Sequence, residues 1–180
     1  SSNEGLTHKR AYLLLSKLSV LPFTKDTEEE QENVYAQARK ILDANTDSLC
    51  FIPTNYSLAA DWLYSKGRVQ EALDMVNKGI EVCKWQDSGF SSTYITLLTK
   101  RYNIYMYGLD DMRTAYKLMN EDLEVFEQQN LNYYTTDMLD FLWGVYNLMP
   151  KNSNNLFTLM KYFTLIAKMT ISIGQQNGME

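Results

Sequence analysis

Apolar residues recur at intervals of three and four along most of the chain, which is the spacing of one face of an α-helix. The clearest example is the segment 68–85, whose apolar stripe consists of Val69, Ala72, Leu73, Val76, Ile80 and Cys83. No stretch alternates between apolar and polar residues over enough positions to predict a strand. The pattern therefore predicts an all-α protein.

Prolines, glycines and polar runs divide this pattern into eight predicted helices, at 6–19, 27–45, 55–66, 68–85, 91–107, 110–129, 132–149 and 156–173. Thr27 followed by Glu30 indicates a capping box at the start of the second helix. Gly67 is a left-handed stop after the third. Because short connections make neighbouring helices antiparallel, we predict four hairpins in a single domain over 1–180. Whether the chain is a fragment of a longer protein stays open.

The segment 53–86 resembles one tetratricopeptide repeat (TPR), a 34-residue helix–turn–helix unit. The resemblance rests on small and bulky residues at the family's positions: Ala60, Leu63, Gly67, Ala72, Val76 and Gly79. Small residues let the paired helices approach closely, while Leu63 and Val76 fill the space between them. Gly108 and Ala115 resemble the turn glycine and the alanine of a further unit, with two extra residues between them. The resemblance implies a TPR-like right-handed superhelix of about eight antiparallel helices.

The longer repeat period, together with the segment 71–84, also resembles the C-terminal peptide-binding domains of Rgg- and PlcR-type regulators of Gram-positive bacteria. This resemblance implies a cytoplasmic ligand-binding and dimerisation domain of a transcriptional regulator that responds to pheromone peptides in quorum sensing. Those regulators carry an N-terminal helix-turn-helix, which this sequence does not contain. A structural adaptor that binds proteins and takes no small ligand is the alternative.

Charge and composition argue against several other functions. The net charge of −5 and the absence of a Lys/Arg cluster predict no nucleic-acid binding by this segment. His8 is the only histidine, no phosphate-binding glycine loop occurs, and the two cysteines lack metal or redox spacing. We therefore expect no catalytic residues, no metal and no cofactor, and a reducing compartment. Lys161 and Lys168 interrupt the most apolar stretch, so no membrane span is expected.

The resemblance to TPR domains places the ligand on the concave face, which the first helix of each pair lines. It implies a peptide site formed by Asp61, Tyr64, Tyr102, Asn103, Tyr105 and Tyr146. Asp61 would hold an amine or a lysine, Asn103 would bond a backbone amide, and the tyrosines would stack on apolar side chains. The alternative for Tyr102 and Tyr105 is that they are packing residues.

The segment 156–173 is apolar around most of its circumference. Its clearly polar positions, Lys161, Thr164, Lys168 and Ser172, form one narrow stripe. The last helix of a repeat stack should present a polar outer face, because no further repeat covers it. We therefore expect a homodimer through this C-terminal helix, with burial inside the monomer as the alternative.

Overall fold

The computed structural model describes residues 2–22, 24–44, 52–85 and 92–128. The chain divides into two compact units, Ser1–Leu109 and Asp110–Glu180. The helices of the first unit are α1 (Ser2–Val20), α2 (Lys25–Ala44), α3 (Pro53–Ser65), α4 (Val69–Trp85) and α5 (Ser92–Asn103), which continues as a π-helical turn, Ile104–Gly108; the second unit contains α6 (Met112–Gln128). The described ranges contain no strand, so this part of the chain is all-helical, as predicted.

Six of the eight predicted helices correspond to α1–α6, with boundaries that differ by a few residues. The other two, at 132–149 and 156–173, lie outside the described residues, and so does the expected dimer helix. Within the described ranges, no helix combines the length and the apolar character needed to cross a bilayer.

Gly67 ends α3 in the predicted way. Its φ of +73° is a conformation that strains any residue with a Cβ atom. The Gly67 N–H donates to the carbonyl of Tyr64 at 3.0 Å, and the Arg68 N–H donates to the carbonyl of Leu63 at 2.9 Å. This pair of bonds is the Schellman motif, which satisfies carbonyls that the end of a helix leaves unpaired. The chain therefore reverses within three residues, and α4 packs along α3 as the second helix of a hairpin.

The small residues of the repeat-like segment lie where helices meet. Ala60 and Ala72 are buried. A Cβ atom at Gly79 of α4 would lie 2.8 Å from Cβ of Tyr56 on α3 and 3.0 Å from Cδ1 of Leu97 on α5. Because real Cβ atoms essentially never come within 3.0 Å of another heavy atom, a side chain at position 79 would force α3 or α4 to shift. This position is therefore a three-helix crossing.

The helix α3 lies at the centre of the first unit. It packs along α4 and also contacts α1 and α5. The contact with α1 includes a buried hydrogen bond in which Nδ2 of Asn55 donates to the carbonyl of His8 at 3.1 Å. The first helices of the successive pairs, α1, α3 and α5, are thus neighbours.

Arg68, in the turn between α3 and α4, connects the three helices α2, α3 and α4. Its guanidinium binds both carboxylate oxygens of Glu71 at 2.7 Å, and it lies 5.4 Å from the ring centroid of Tyr35 and 5.6 Å from that of Trp62. The two rings stack on each other, 4.4 Å apart. A second carboxylate, that of Glu32, lies 3.3 Å from Nη1. The Arg68 guanidinium holds the pKa of Glu71 below its usual range. The cluster joins the α1–α2 pair to the α3–α4 pair.

The predicted capping box at Thr27 and Glu30 is wrong. The helix α2 begins at Lys25, so Thr27 already lies inside its first turn. The Thr27 hydroxyl donates to the carbonyl of Pro22, and the Glu30 carboxylate pairs with Nζ of Lys17 on α1 at 2.6 Å. Glu30 therefore links α2 to α1 and does not cap the start of α2.

A side chain caps the start of α6. Asp111 precedes the helix, and its Oδ1 accepts the backbone N–H of Thr114 at 3.0 Å while its Oδ2 accepts the Thr114 hydroxyl at 2.6 Å. These bonds to the charged form lower the pKa of Asp111. Asp111 is therefore the side-chain cap at the start of this helix.

His8 gives the stability of this fold a predictable pH dependence. Its side chain is fully buried, and burial lowers its pKa from the ordinary value of 6.5. The unfolded chain therefore binds a proton more readily than the folded chain. The free energy of unfolding should be highest above about pH 6.5 and should fall as the pH drops toward about 5.5. Urea denaturation across this range measures it.

Because His8 is the only histidine of the chain, a His8→Gln variant is a direct control. Its free energy of unfolding should depend less on pH over the same range, whatever its absolute value. Wild-type stability that stays constant, or that increases on acidification, would contradict a buried neutral imidazole.

Candidate functional site

A groove of about 380 Å³ lies between α3 and the end of α5, and its lining residues are Ala60, Asp61, Tyr64, Lys100, Asn103, Ile104 and Tyr107. The volume falls within the range of sites that bind small molecules. The α3 residues lie one and four positions apart, so they share a helix face. The residues that follow, from Lys100 to Tyr107, occur at spacings of three, four and seven, which places them on one side of α5 and its π-helical turn.

A charged pair crosses the groove. Nζ of Lys100 on α5 donates to Oδ1 of Asp61 on α3. The Asp61 side chain is 56% exposed, whereas that of Lys100 is 24% exposed. Since a carboxylate has room for several hydrogen bonds, Asp61 can accept a further donor from a ligand without losing Lys100. The more exposed partner of this pair is therefore the carboxylate.

Two tyrosines form the apolar part of the groove. Tyr64 of α3 is 38% exposed and Tyr107 is 65% exposed, which is a large exposed area for aromatic rings. A tyrosine ring offers wide contact at low cost in conformational entropy. Asn103 lies on the same α5 face, between Lys100 and Tyr107. Its amide group carries both a donor and an acceptor.

Gly108 sets the position of Tyr64. A Cβ atom on Gly108 would lie 2.7 Å from Cγ1 of Val69 and 3.0 Å from Cε2 of Tyr64. The sequence predicted Gly108 as a turn glycine, but the residue with a positive φ near this turn is Asp110, at 53°. The glycine is therefore needed for close packing against the tyrosine.

The π-helical turn supplies two of the lining residues, Ile104 and Tyr107. The N–H of Leu109, the residue after this turn, donates to the carbonyl of Ile104 at 2.9 Å. This bond spans five residues, which is the spacing of a π-helix. Such turns occur often at functional sites, because an extra residue in the turn redirects the side chains that follow. No feature of the apolar pattern in 91–107 indicated it.

The structure brings together three of the six residues that the sequence predicted for the site. Asp61, Tyr64 and Asn103 line the groove. Tyr102 is fully buried, so its ring offers no surface to a ligand, and the packing alternative describes it correctly. Tyr105 is half-buried and is not among the lining residues. Tyr146 lies outside the described residues.

Sequence reasoning missed Lys100 and Tyr107. It chose Tyr102 and Tyr105 because their three-residue spacing puts two tyrosines on one helix face. The spacing of Lys100, Asn103 and Tyr107 was an equally good signal, and the buried stripe through Leu98 and Tyr102 decides between the two faces.

Comparison with known proteins gives no relative for this chain: no family model, no curated protein and no solved structure matches it. The described ranges also contain no group of three or more His, Cys, Asp or Glu side chains arranged to hold a metal ion.

The exposure of Asp61 leads to a prediction about stability. Exposed ion pairs contribute about 0–1 kcal/mol, so Asp61→Asn should lower the free energy of unfolding by less than about 1 kcal/mol. Urea denaturation of both proteins measures the difference. A loss above about 2 kcal/mol would show that the pair is a structural element of the α3–α5 contact. In that case the presence of the Asp61–Lys100 pair in the groove would not indicate a binding function.

Proposed function

We propose that this chain is a TPR-like helical-repeat domain that binds a peptide in the α3–α5 groove. The observation that carries the proposal is the combination in one groove of an accessible carboxylate, a side-chain amide and two exposed tyrosine rings. An extended peptide presents the complementary groups: backbone N–H and C=O groups that recur along its length, and apolar side chains between them.

In this proposal four of the groove residues contact the ligand. Asn103 bonds a backbone amide of the ligand through its own amide group, which can donate and accept at once. Asp61 accepts an N–H or a charged amine. Tyr64 and Tyr107 pack on an apolar side chain of the ligand, because a tyrosine ring offers wide contact at low cost in conformational entropy.

The packing of the first unit supports the repeat assignment. Gly67 closes the α3–α4 turn, Ala60, Ala72 and Gly79 are at buried positions or close crossings, and the first helices α1, α3 and α5 are neighbours. A right-handed superhelix with a ligand face formed by first helices extends this local arrangement. We propose it for the whole chain, including the two hairpin helices at 132–149 and 156–173.

In its more specific form, the proposal is that the chain is the ligand-binding and dimerisation part of a cytoplasmic, peptide-responsive transcriptional regulator. The resemblance to Rgg- and PlcR-type domains supports this form, with the helix at 156–173 as the dimer contact. The net charge of −5 disfavours contact with DNA phosphates. In this form of the proposal, another part of the regulator therefore binds DNA. No enzymatic activity is proposed.

One observation favours a second candidate, a structural adaptor without a small ligand. Lys100 already occupies one oxygen of Asp61, so the groove is electrostatically satisfied without a ligand. In an adaptor the pair would only join α3 to α5, and Asn103 and Tyr107 would contact a folded protein or solvent. A binding measurement with short peptides separates the two candidates.

The test starts with selection of binders from a random octapeptide display library on the whole chain. The affinity of the selected peptide is then measured by calorimetry. An Asp61→Ala, Tyr64→Ala double variant should lose at least tenfold in affinity, because it removes the acceptor and one ring of the groove.

The matched control is an Asp74→Ala, Tyr12→Ala double variant. It removes the same two residue types from exposed positions on α4 and α1, away from the groove, and should keep wild-type affinity. Equal affinities for all three proteins would place the peptide elsewhere. A library that yields no binder would favour the adaptor.

A further inference from the structure

A second, smaller cleft lies on the other side of α3, between α3 and α1. Its volume is about 230 Å³, and its lining residues are Leu15, Leu18, Ser19, Leu58, Asp61, Trp62 and Ser65. It is smaller than the range typical of a complete small-molecule site. Its size and its leucine-rich lining suit a single apolar side chain.

The two clefts share one residue, Asp61. On α3, Leu58, Asp61 and Ser65 face the α1 cleft, while Ala60, Asp61 and Tyr64 line the α5 groove. The helix α3 is therefore a ridge between two depressions, and an exposed carboxylate lies on it. A ligand that crosses this ridge meets an apolar site, then the exposed carboxylate of Asp61, whose Oδ1 is bonded to Lys100, and then the tyrosine-lined groove.

The polar groups of the α1–α3 cleft favour hydrogen-bond donors. The Ser19 hydroxyl donates to the carbonyl of Ser16 and the Ser65 hydroxyl donates to the carbonyl of Trp62, both at 2.7 Å. Their hydrogens are thus committed within their own helices, and their oxygens remain acceptors. Asp61 is an acceptor as well. A ligand should therefore bring N–H groups to this region.

We infer that the ligand is an extended peptide that crosses α3, with one apolar side chain in each cleft, three residues apart, and a basic residue between them over Asp61. This inference rests on the proposed peptide-binding function. Packed helices lie about 8–10 Å apart, so the clefts on either side of one helix are separated by roughly that distance. A polyproline II chain rises about 3.1 Å per residue with three residues per turn, which puts residues i and i+3 on one side at about 9 Å.

The experiment uses synthetic peptides with the sequence acetyl-Gly-Leu-spacer-Leu-Gly-amide. The spacer is Lys, Ser-Lys, Ser-Lys-Ser or Ser-Lys-Ser-Ser, and a further peptide has Glu in place of Lys in the two-residue spacer. Calorimetry with the whole chain gives the dissociation constants. The Ser-Lys peptide should bind at least tenfold more tightly than the peptides with one- and four-residue spacers, and more tightly than its Glu counterpart.

A variant that fills the α1–α3 cleft tests which depression the second leucine uses. Ser65 is exposed at the edge of this cleft, so Ser65→Phe occupies it with little effect on folding. It should remove the preference for the two-residue spacer. Ser92→Phe is the control, because Ser92 is an exposed serine that lines neither cleft.

The outcomes separate this inference from the proposed function. Binding that is independent of spacer length, or a preference that Ser65→Phe leaves intact, would overturn the ridge-crossing geometry while peptide binding itself stands. If no peptide of the series binds and the octapeptide selection also fails, the proposed function falls and the inference falls with it.

Discussion

The missing side chain at Gly79 is the constraint on which the first unit depends. At this point α4 lies against Tyr56 of α3 and Leu97 of α5 at distances that leave no room for a methyl group. The second helix of the pair can therefore contact its own partner and the following helix at once. This contact keeps α3 and α5 together, and the candidate groove is the surface depression between them.

The polar and aromatic groups of the groove come together because α3 and α5 pack side by side. Asp61 and Lys100 are far apart in sequence, and they pair because α3 and α5 are neighbours. A second close contact, between Gly108 and the ring of Tyr64, fixes the aromatic side of the groove. The π-helical turn that ends at Gly108 carries Tyr107. The core and the candidate groove thus use different faces of the same helix: Tyr102 is buried beside Asn103, which lines the groove.

Local sequence signals predicted the helices well and the site only in part. The three-and-four spacing of apolar residues predicted α1–α6, and Gly67 predicted the end of α3, because both depend on residues close in sequence. Tyr102 and Lys100 show the limit. Both lie on α5, and only the position of α3 and α4 decides which of its faces is buried. The π-helical turn has no periodic signature, and Glu30 bonds to Lys17 across a helix pair, so neither could be predicted from local spacing.

The Gly79→Ala variant tests the central claim most directly, because two effects of opposite sign compete there. In the interior of a helix, alanine is more favourable than glycine by about 0.5–1 kcal/mol. Forcing a methyl group into a close-packed crossing costs about 1–3 kcal/mol. Asn77→Ala, at an exposed position of α4, reports the propensity effect alone. In urea denaturation, Gly79→Ala should be less stable than the wild type while Asn77→Ala is equal or more stable. A Gly79→Ala protein that gains stability would contradict the three-helix crossing.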